Sequence, residues 1–499
     1  MISYLRRPWR VCLVLGLIAC LTCARTLAST VSITPANFPT PRLESLKELT
    51  PEPITPRATS IKGWKTQTGT KVLFIRTTEL PMFDLQVSFT AGSARDSSLP
   101  GLAATTLRML IEGVPGKDFP AIVQTFDDLG AQLDLSIEHE RVTLSLRSLS
   151  NAQKSAPALQ LITQMLGESL LTDDALKKVK KALKDRIASA SRDDDKLAED
   201  LVRKLLAPNS PYSVPLYGTN EGLTAITRTD VEQFHQRFYT ASQAQITLVG
   251  DLTLAQAKTI SLQISNALPV MPMGGTPPPP MPVQTADGTD LTRHEERPLT
   301  QTHLKLAQRS VSRQHPDYAA LYVANLIFGG TPSSRLMSEL REKRGLVYNV
   351  HAENSNWATA GVMTISLQVS PSLSQATLAL TRSMFSDYLR DGPTQQELDQ
   401  IKIRLANSRA LQSASNGQIL ARLEAINQHD LPLDLDYTVQ QIQRLTLKQV
   451  HEAMKRHLSA DRWRVATVGA TVVQQPLPEP PLAPSSTSLP SMCRAEAAL

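Results

Sequence analysis

Apolar residues recur along this chain with two periods. Phe83, Leu85, Val87 and Phe89 alternate with polar neighbours, the period-2 pattern of a half-buried strand. Leu133, Leu135 and Ile137, then Val142, Leu144 and Leu146, repeat it on either side of residues 138–141 and predict two strands joined by a turn. A helix is predicted over 101–110. A longer one, Asp173–Ala190, carries Leu176, Val179, Leu183 and Ile187 on one face, and another helix spans 229–238 before a strand at Gln245–Gly250.

This layout occurs twice. Thr227, Val231, Ala241, Val249 and Gly250 reappear as Thr446, Val450, Ala460, Val468 and Gly469, each 219 positions later. Leu176, Val179, Lys180 and Leu183 correspond to Leu398, Ile401, Lys402 and Leu405, 222 positions later. A duplicated α/β domain accounts for both offsets.

Composition sets the boundaries. Residues 1–28 read as an export signal, with arginines followed by an apolar run over 11–24 that is shorter than the ~20 residues of a membrane span. Cleavage after Ala28 would release a soluble chain beginning at Ser29. The alternative, a lipobox-like Leu17-Ile18-Ala19-Cys20, would leave a lipid on Cys20 and is the one route to a membrane; intact mass separates the two. Either product would be periplasmic. Residues 29–60 form a proline-rich arm, 61–268 a first domain, 269–290 a proline-rich linker, 291–472 a second domain, and 473–499 a disordered proline-rich tail. Loss of Arg6, Arg7, Arg10 and Arg25 with the signal takes the formal charge from +6 to about +2, which excludes a nucleic-acid reading. Cys12, Cys20 and Cys23 lie in the signal and Cys493 in the tail, so the folded body has neither an internal disulfide nor a cysteine metal site.

Candidate chemistry lies in residues 328–350. Gly329 and Gly330 end an apolar helix containing Tyr318, Leu321 and Leu326, and Ser333 or Ser334 caps a second helix that runs to Arg344. Gly345 stops it, and Leu346, Tyr348 and Val350 then alternate with Val347 and Asn349 as a strand. The short break can bring Arg341 and Tyr348 to one cleft, where a guanidinium and a phenol suit a substrate carbonyl or a developing oxyanion. Spacing alone leaves a plainer reading open, in which the arginine steadies the helix dipole and the tyrosine packs.

Gly329-Gly330-x-x-Ser333-Ser334-Arg335-Leu336, followed by Leu340-Arg341-Glu342-Lys343-Arg344-Gly345-Leu346-x-Tyr348, resembles the second-domain signature of the M16 family (pitrilysin, insulinase, mitochondrial processing peptidase). The resemblance covers nearly all of residues 60–472. It implies an α+β fold of two homologous α/β domains, each an antiparallel-rich sheet flanked by helices, together forming a half-clamshell. It also implies that Arg341 and Tyr348 reach the substrate. Catalytic members carry His-x-x-Glu-His on the first-domain helix, giving two zinc ligands and a base on one face. Ala104, Leu107 and Arg108 stand at those positions here. The downstream ligand glutamate should fall near Lys184 and Asp185, and one carboxylate cannot hold zinc. No catalytic residue or metal site is therefore expected on this chain alone, and zinc is expected in a partner.

The remaining histidines and acids offer little. His451 and His457 are six residues apart and lie on different helix faces; His139-Glu140 at the hairpin turn and His294-Glu295-Glu296 after the linker read as solvated. Asp193-Asp194-Asp195 reads as a cap or exposed turn. The expected function is a noncatalytic subunit that pairs with a zinc-bearing homologue to cleave unfolded peptides. The alternatives are a nonproteolytic peptide-binding or assembly protein, and a periplasmic binding protein sharing only the architecture.

Overall fold

The structure, a computed structural model, describes residues 60–270, 291–409 and 411–479. The expected export signal, nearly all of the arm, most of the linker and residues 480–499 lie outside the described residues.

The first half begins with β1 (Lys62–Lys65), β2 (Lys71–Arg76), β3 (Met82–Phe89) and α1 (Leu102–Met109). A two-stranded ribbon, β4 (Gly113–Val114) and β5 (Lys117–Asp118), leads to α2 (Phe119–Leu129), β6 (Gln132–Ile137) and β7 (Val142–Leu149). Then come α3 (Ala152–Gly167), α4 (Asp173–Ala190), α5 (Asp194–Leu206), α6 (Asn220–Ala225), α7 (Arg228–Phe238), β8 (Gln245–Gly250) and α8 (Leu254–Ala267). The second half holds β9 (Leu291–Glu296), β10 (Thr302–Ser310), α9 (Tyr318–Asn325), β11 (Val347–Asn356) and β12 (Gly361–Val369). It continues through α10 (Ser374–Asp391), α11 (Gln395–Ser408), α12 (Asn416–His429), α13 (Tyr437–Arg444), α14 (Leu447–His457) and β13 (Arg464–Gly469).

Apart from the additional edge strand β1 of the first, the two sheets share one strand order. The first reads β1-β2-β8-β3-β7-β6, and the second, taken from β9, reads β9-β13-β10-β12-β11. Each has one parallel pair, β2 with β8 and β9 with β13, in an otherwise antiparallel ladder. The sequence repeat is also repeated in hydrogen bonds. Lys180 on α4 donates to the Ile226 carbonyl, and its counterpart Lys402 on α11 donates to the Leu445 carbonyl at 2.7 Å. Thr227 and Thr446 cap α7 and α14 through equivalent capping boxes.

Two helices cross between the halves. From the first half, α5 lays Val202 and Leu206 on Ala307, Val362 and Ala466 of the second sheet. In return α12 lays Ile419, Leu420, Leu423 and Ile426 on Leu73, Ile75 and Val249 of the first, while the Asn427 amide donates to the Ile246 carbonyl at 3.0 Å. Each sheet thus has its second face covered by a helix from the other half.

The acidic run before α5 is more than a cap. Asp193 accepts from the backbone N–H groups of Asp195 and Lys196, as a cap does, but Asp195 reaches the second sheet and pairs with buried Lys305 at 2.9 Å and His303 at 3.3 Å. The start of the expected tail also stays on the body. Gln475 N–H donates to the Ser372 carbonyl at 2.7 Å and Leu477 packs on the second core, so the chain is held to the fold at Gln475 and Leu477.

Candidate functional site

In the second half α9 passes into a wider π-helical turn over Leu326–Gly330. Ser334, rather than Ser333, then accepts from Met337 N–H at 3.4 Å. The helix it opens differs from the α-helix predicted to Arg344, because Met337–Lys343 is wound as a π-helix, a geometry concentrated at functional sites. This winding buries Met337 and Leu340 and leaves Arg341 outside. Arg335 anchors the start, gripping Glu397 with two bonds of 2.7 Å while its guanidinium lies 4.5 Å from the Tyr388 ring centre.

Gly345, at φ +62°, turns the chain into β11. The predicted alternation then fails. Val347 pairs with Val369, but the next pair is Val350 with Leu367, so a bulge intervenes. Leu346, Val347 and Val350 face inward, whereas Tyr348 and Asn349 both face out. Tyr348 is 84% exposed, and the Arg341 guanidinium carbon lies 5.3 Å from its ring centre. The two side chains therefore meet at the surface, by way of a bulge that the spacing does not reveal. Among the described residues the ion-pair partner of Arg341 is its exposed neighbour Glu342, at 3.4 Å.

The helix of the first half that carries the zinc-motif positions, α1, is held by Asp96, whose carboxyl accepts from Gly101 N–H and Ala103 N–H at 2.7 Å each; burial pushes that carboxyl up to about 7. Ala104, Leu107 and half-buried Arg108 line a cavity of about 160 Å³ together with Leu183, Arg186, Tyr217 and the 135–137 stretch of β6. Arg186 stacks over the Tyr217 ring at 4.2 Å. Lys184 and Asp185 turn elsewhere, to Thr224 and Lys181 at 2.8 Å each, so Leu183 and Arg186 occupy the wall expected of them. Zinc does not fit this lining. Among the described residues no histidine, cysteine or carboxylate faces the cavity, and two guanidinium groups repel a divalent cation.

Among the described residues, His315, Asp317 and His457 bring three potential ligand atoms within 4.8 Å of one another. Asp317 is already gripped by Arg456 at 3.0 Å and His457 at 2.8 Å. The His315 Nδ1 accepts from Asp317 N–H, which leaves the neutral ring's proton on Nε2, and the cluster is an ion-pair network. His451 bonds the Leu389 carbonyl, away from His457.

His139-Glu140 does not behave as a solvated turn. His139 hydrogen-bonds Ser93 at 2.9 Å, and burial, with Arg203 nearby, lowers its imidazole to about 3. Glu140 accepts from the Tyr212 hydroxyl at 2.5 Å and from Ala358 N–H at 2.8 Å, while Tyr212 stacks on Trp357 at 4.7 Å. The β6–β7 turn and its counterpart between β11 and β12 are thereby joined. His294 does remain exposed, on β9.

Residues 71–220 match the profile of insulinase (peptidase family M16), and residues 225–405 match that of the peptidase M16 inactive domain. The crystal structure of a peptidase M16 inactive domain from Pseudomonas fluorescens is 39% identical and superposes with a TM-score of 0.79, over 84% of this chain and 100% of that one. The chain belongs to the M16 peptidase family. Among its M16 relatives, the non-peptidase homolog YmxG of Helicobacter pylori is 26% identical over 76% of this chain and 87% of its own length. The uncharacterized zinc protease YmxG of Bacillus subtilis is 23% identical over 72% of this chain and 87% of its own. Within the M16 fold this chain is of the noncatalytic type, with a lining at the motif helix that offers zinc no ligand.

Arg186 and Tyr217 were not among the residues expected at this site. Arg186 could have been found, since it lies three residues beyond Leu183 and so beside it on the helix surface. Tyr217 comes from a loop with no local signal.

Proposed function

We propose that this chain is the noncatalytic subunit of a composite M16 metalloendopeptidase, pairing with a zinc-bearing homologue and lending it Arg341 and Tyr348. The observation that carries the reading is the division between the halves. The motif helix has become apolar and cationic, while the exposed Arg341 guanidinium stands over an exposed phenol, with the exposed Glu342 as its ion-pair partner. Hydrolysis of a peptide bond builds negative charge on the carbonyl oxygen, and both groups can donate to it without changing protonation. The substrate would be an unfolded peptide held extended along a sheet edge, with main-chain hydrogen bonds giving affinity and little sequence selectivity.

The chain alone should hydrolyse no peptide; mixed with its partner it should raise turnover well above that of the partner alone. In the mixture, Arg341→Ala or Tyr348→Phe should lower kcat by ~10²-fold, with the complex still intact by size-exclusion chromatography. Two variants matching wild type in a complex shown to form would instead support a nonproteolytic assembly or peptide-binding role, the reading favoured by the relative named a non-peptidase homolog.

A further inference from the structure

We propose that the cavity beside α1 is a carboxylate site that holds the C-terminus of an extended peptide, whose apolar side chains lie in the groove next to it. The inference rests on the reading of this chain as a peptide-binding M16 subunit and specifies which end of the peptide it grips.

Charge is the first argument. Arg108 and Arg186 both line the cavity, no carboxylate does, and among the described residues neither guanidinium has an ion-pair or hydrogen-bond partner. Stacking on Tyr217 holds Arg186 by its face and leaves its N–H edge free for a planar anion. A volume of about 160 Å³ admits roughly five waters, enough for a carboxylate and the atoms next to it.

Shape and position supply the rest. Arg108 and Leu135 also line a groove of about 430 Å³, whose apolar wall includes Phe119, Ile122, Val123 and Phe126. Phe119 and Val123 are exposed there although both are large and apolar. Running past groove and cavity is β6, an edge strand bonded to β7 on one side, so its outer backbone groups can pair with an extended chain. Asp127 and Asp134 line the groove but not the cavity, which favours a negative terminus at the arginines alone.

The test uses the full chain without its partner and a fluorescein-labelled twelve-residue peptide of apolar and uncharged residues. The peptide is made as the free acid, as the C-terminal amide, and as the amide with one internal glutamate. Anisotropy should show the free acid binding about tenfold tighter than the amide. In an Arg108→Gln, Arg186→Gln double variant, acid and amide should bind alike. Equal affinities in the wild type would overturn the carboxylate site while leaving peptide binding standing. A glutamate-bearing amide as tight as the free acid would overturn the assignment to the C-terminus. If none of the three bound, the peptide-binding reading itself would fall, and this inference with it.

Discussion

Each half of the molecule builds the same corner from a helix, a left-handed glycine and an edge strand. In the first half α2 ends, Gly130 adopts φ +64° and β6 follows; in the second the π-wound helix ends, Gly345 adopts φ +62° and β11 follows. Counted from the glycine, Phe126 and Leu133 hold the places that Arg341 and Tyr348 hold in the other half. The first pair lines an apolar groove, and the second stands in solvent as a cation over a ring. A backbone corner is set by one dihedral and by sheet pairing, so it survives duplication while the side chains carried on it take up different chemistry.

The largest effect should come from the helices that tie the corners into one body. Leu423 is fully buried between α12 and the first sheet, and Leu423→Ala should cost about 3 kcal/mol. Val202→Ala on α5 removes less volume and should cost less. Urea unfolding should remain a single transition in both variants; two separate transitions would mean that the halves do not depend on each other's helix.

A smaller effect distinguishes the two hairpin tips, since the first carries a half-buried histidine and the second does not. The folded state holds His139 near 3 and the unfolded state near 6.5, so between these values folding releases a proton. The associated stability is complete above pH 6.5 and is lost as pH falls, by about 2 kcal/mol at pH 5. Burial lowers His429 on α12 to about 4, with the same sign. Asp96, pushed up to about 7, acts oppositely: its contribution is complete at low pH and is lost as pH rises through 7. The informative measurement is therefore the difference between wild type and His139→Gln in stability from pH 7 to pH 5. Parallel curves would show that His139 is solvated after all.

The smallest effect tests the corners directly. Among the described residues no atom lies within 4 Å of an added Cβ at either glycine, so Gly130→Ala and Gly345→Ala should each cost only the left-handed penalty of about 1 kcal/mol. Calorimetry should find the two alike. Only Gly345→Ala should also depress turnover of the mixture with the partner, because it moves Arg341 relative to Tyr348. Equal loss of turnover in both would remove the functional distinction between the corners.

Much of this was legible in the chain itself. The strands around Phe83 and Leu133, the Asp173–Ala190 helix and the repeat follow from periodicity, because a half-buried element needs its apolar residues on one face. What was not legible depends on neighbours distant in sequence. The bulge before Val350 arises from pairing with β12, and the crossing of α5 and α12 from an apolar sheet face that only the other half covers. His139 misleads for the same reason: a hairpin tip is normally wet, but this one lies under Tyr212 and Trp357. At the site, the vacated zinc positions could be read one by one, whereas the cation pair that replaces them needs α1 and α4 side by side.

The crossing of α5 and α12 also bears on how such a body assembles. Two separate copies of one half, each lending a helix to the other, would form an element-exchanged dimer whose yield depends on how much protein is present. Because both halves belong to one chain, each instead meets its complement at an effective concentration set by their covalent connection. Assembly of the two halves then no longer depends on abundance.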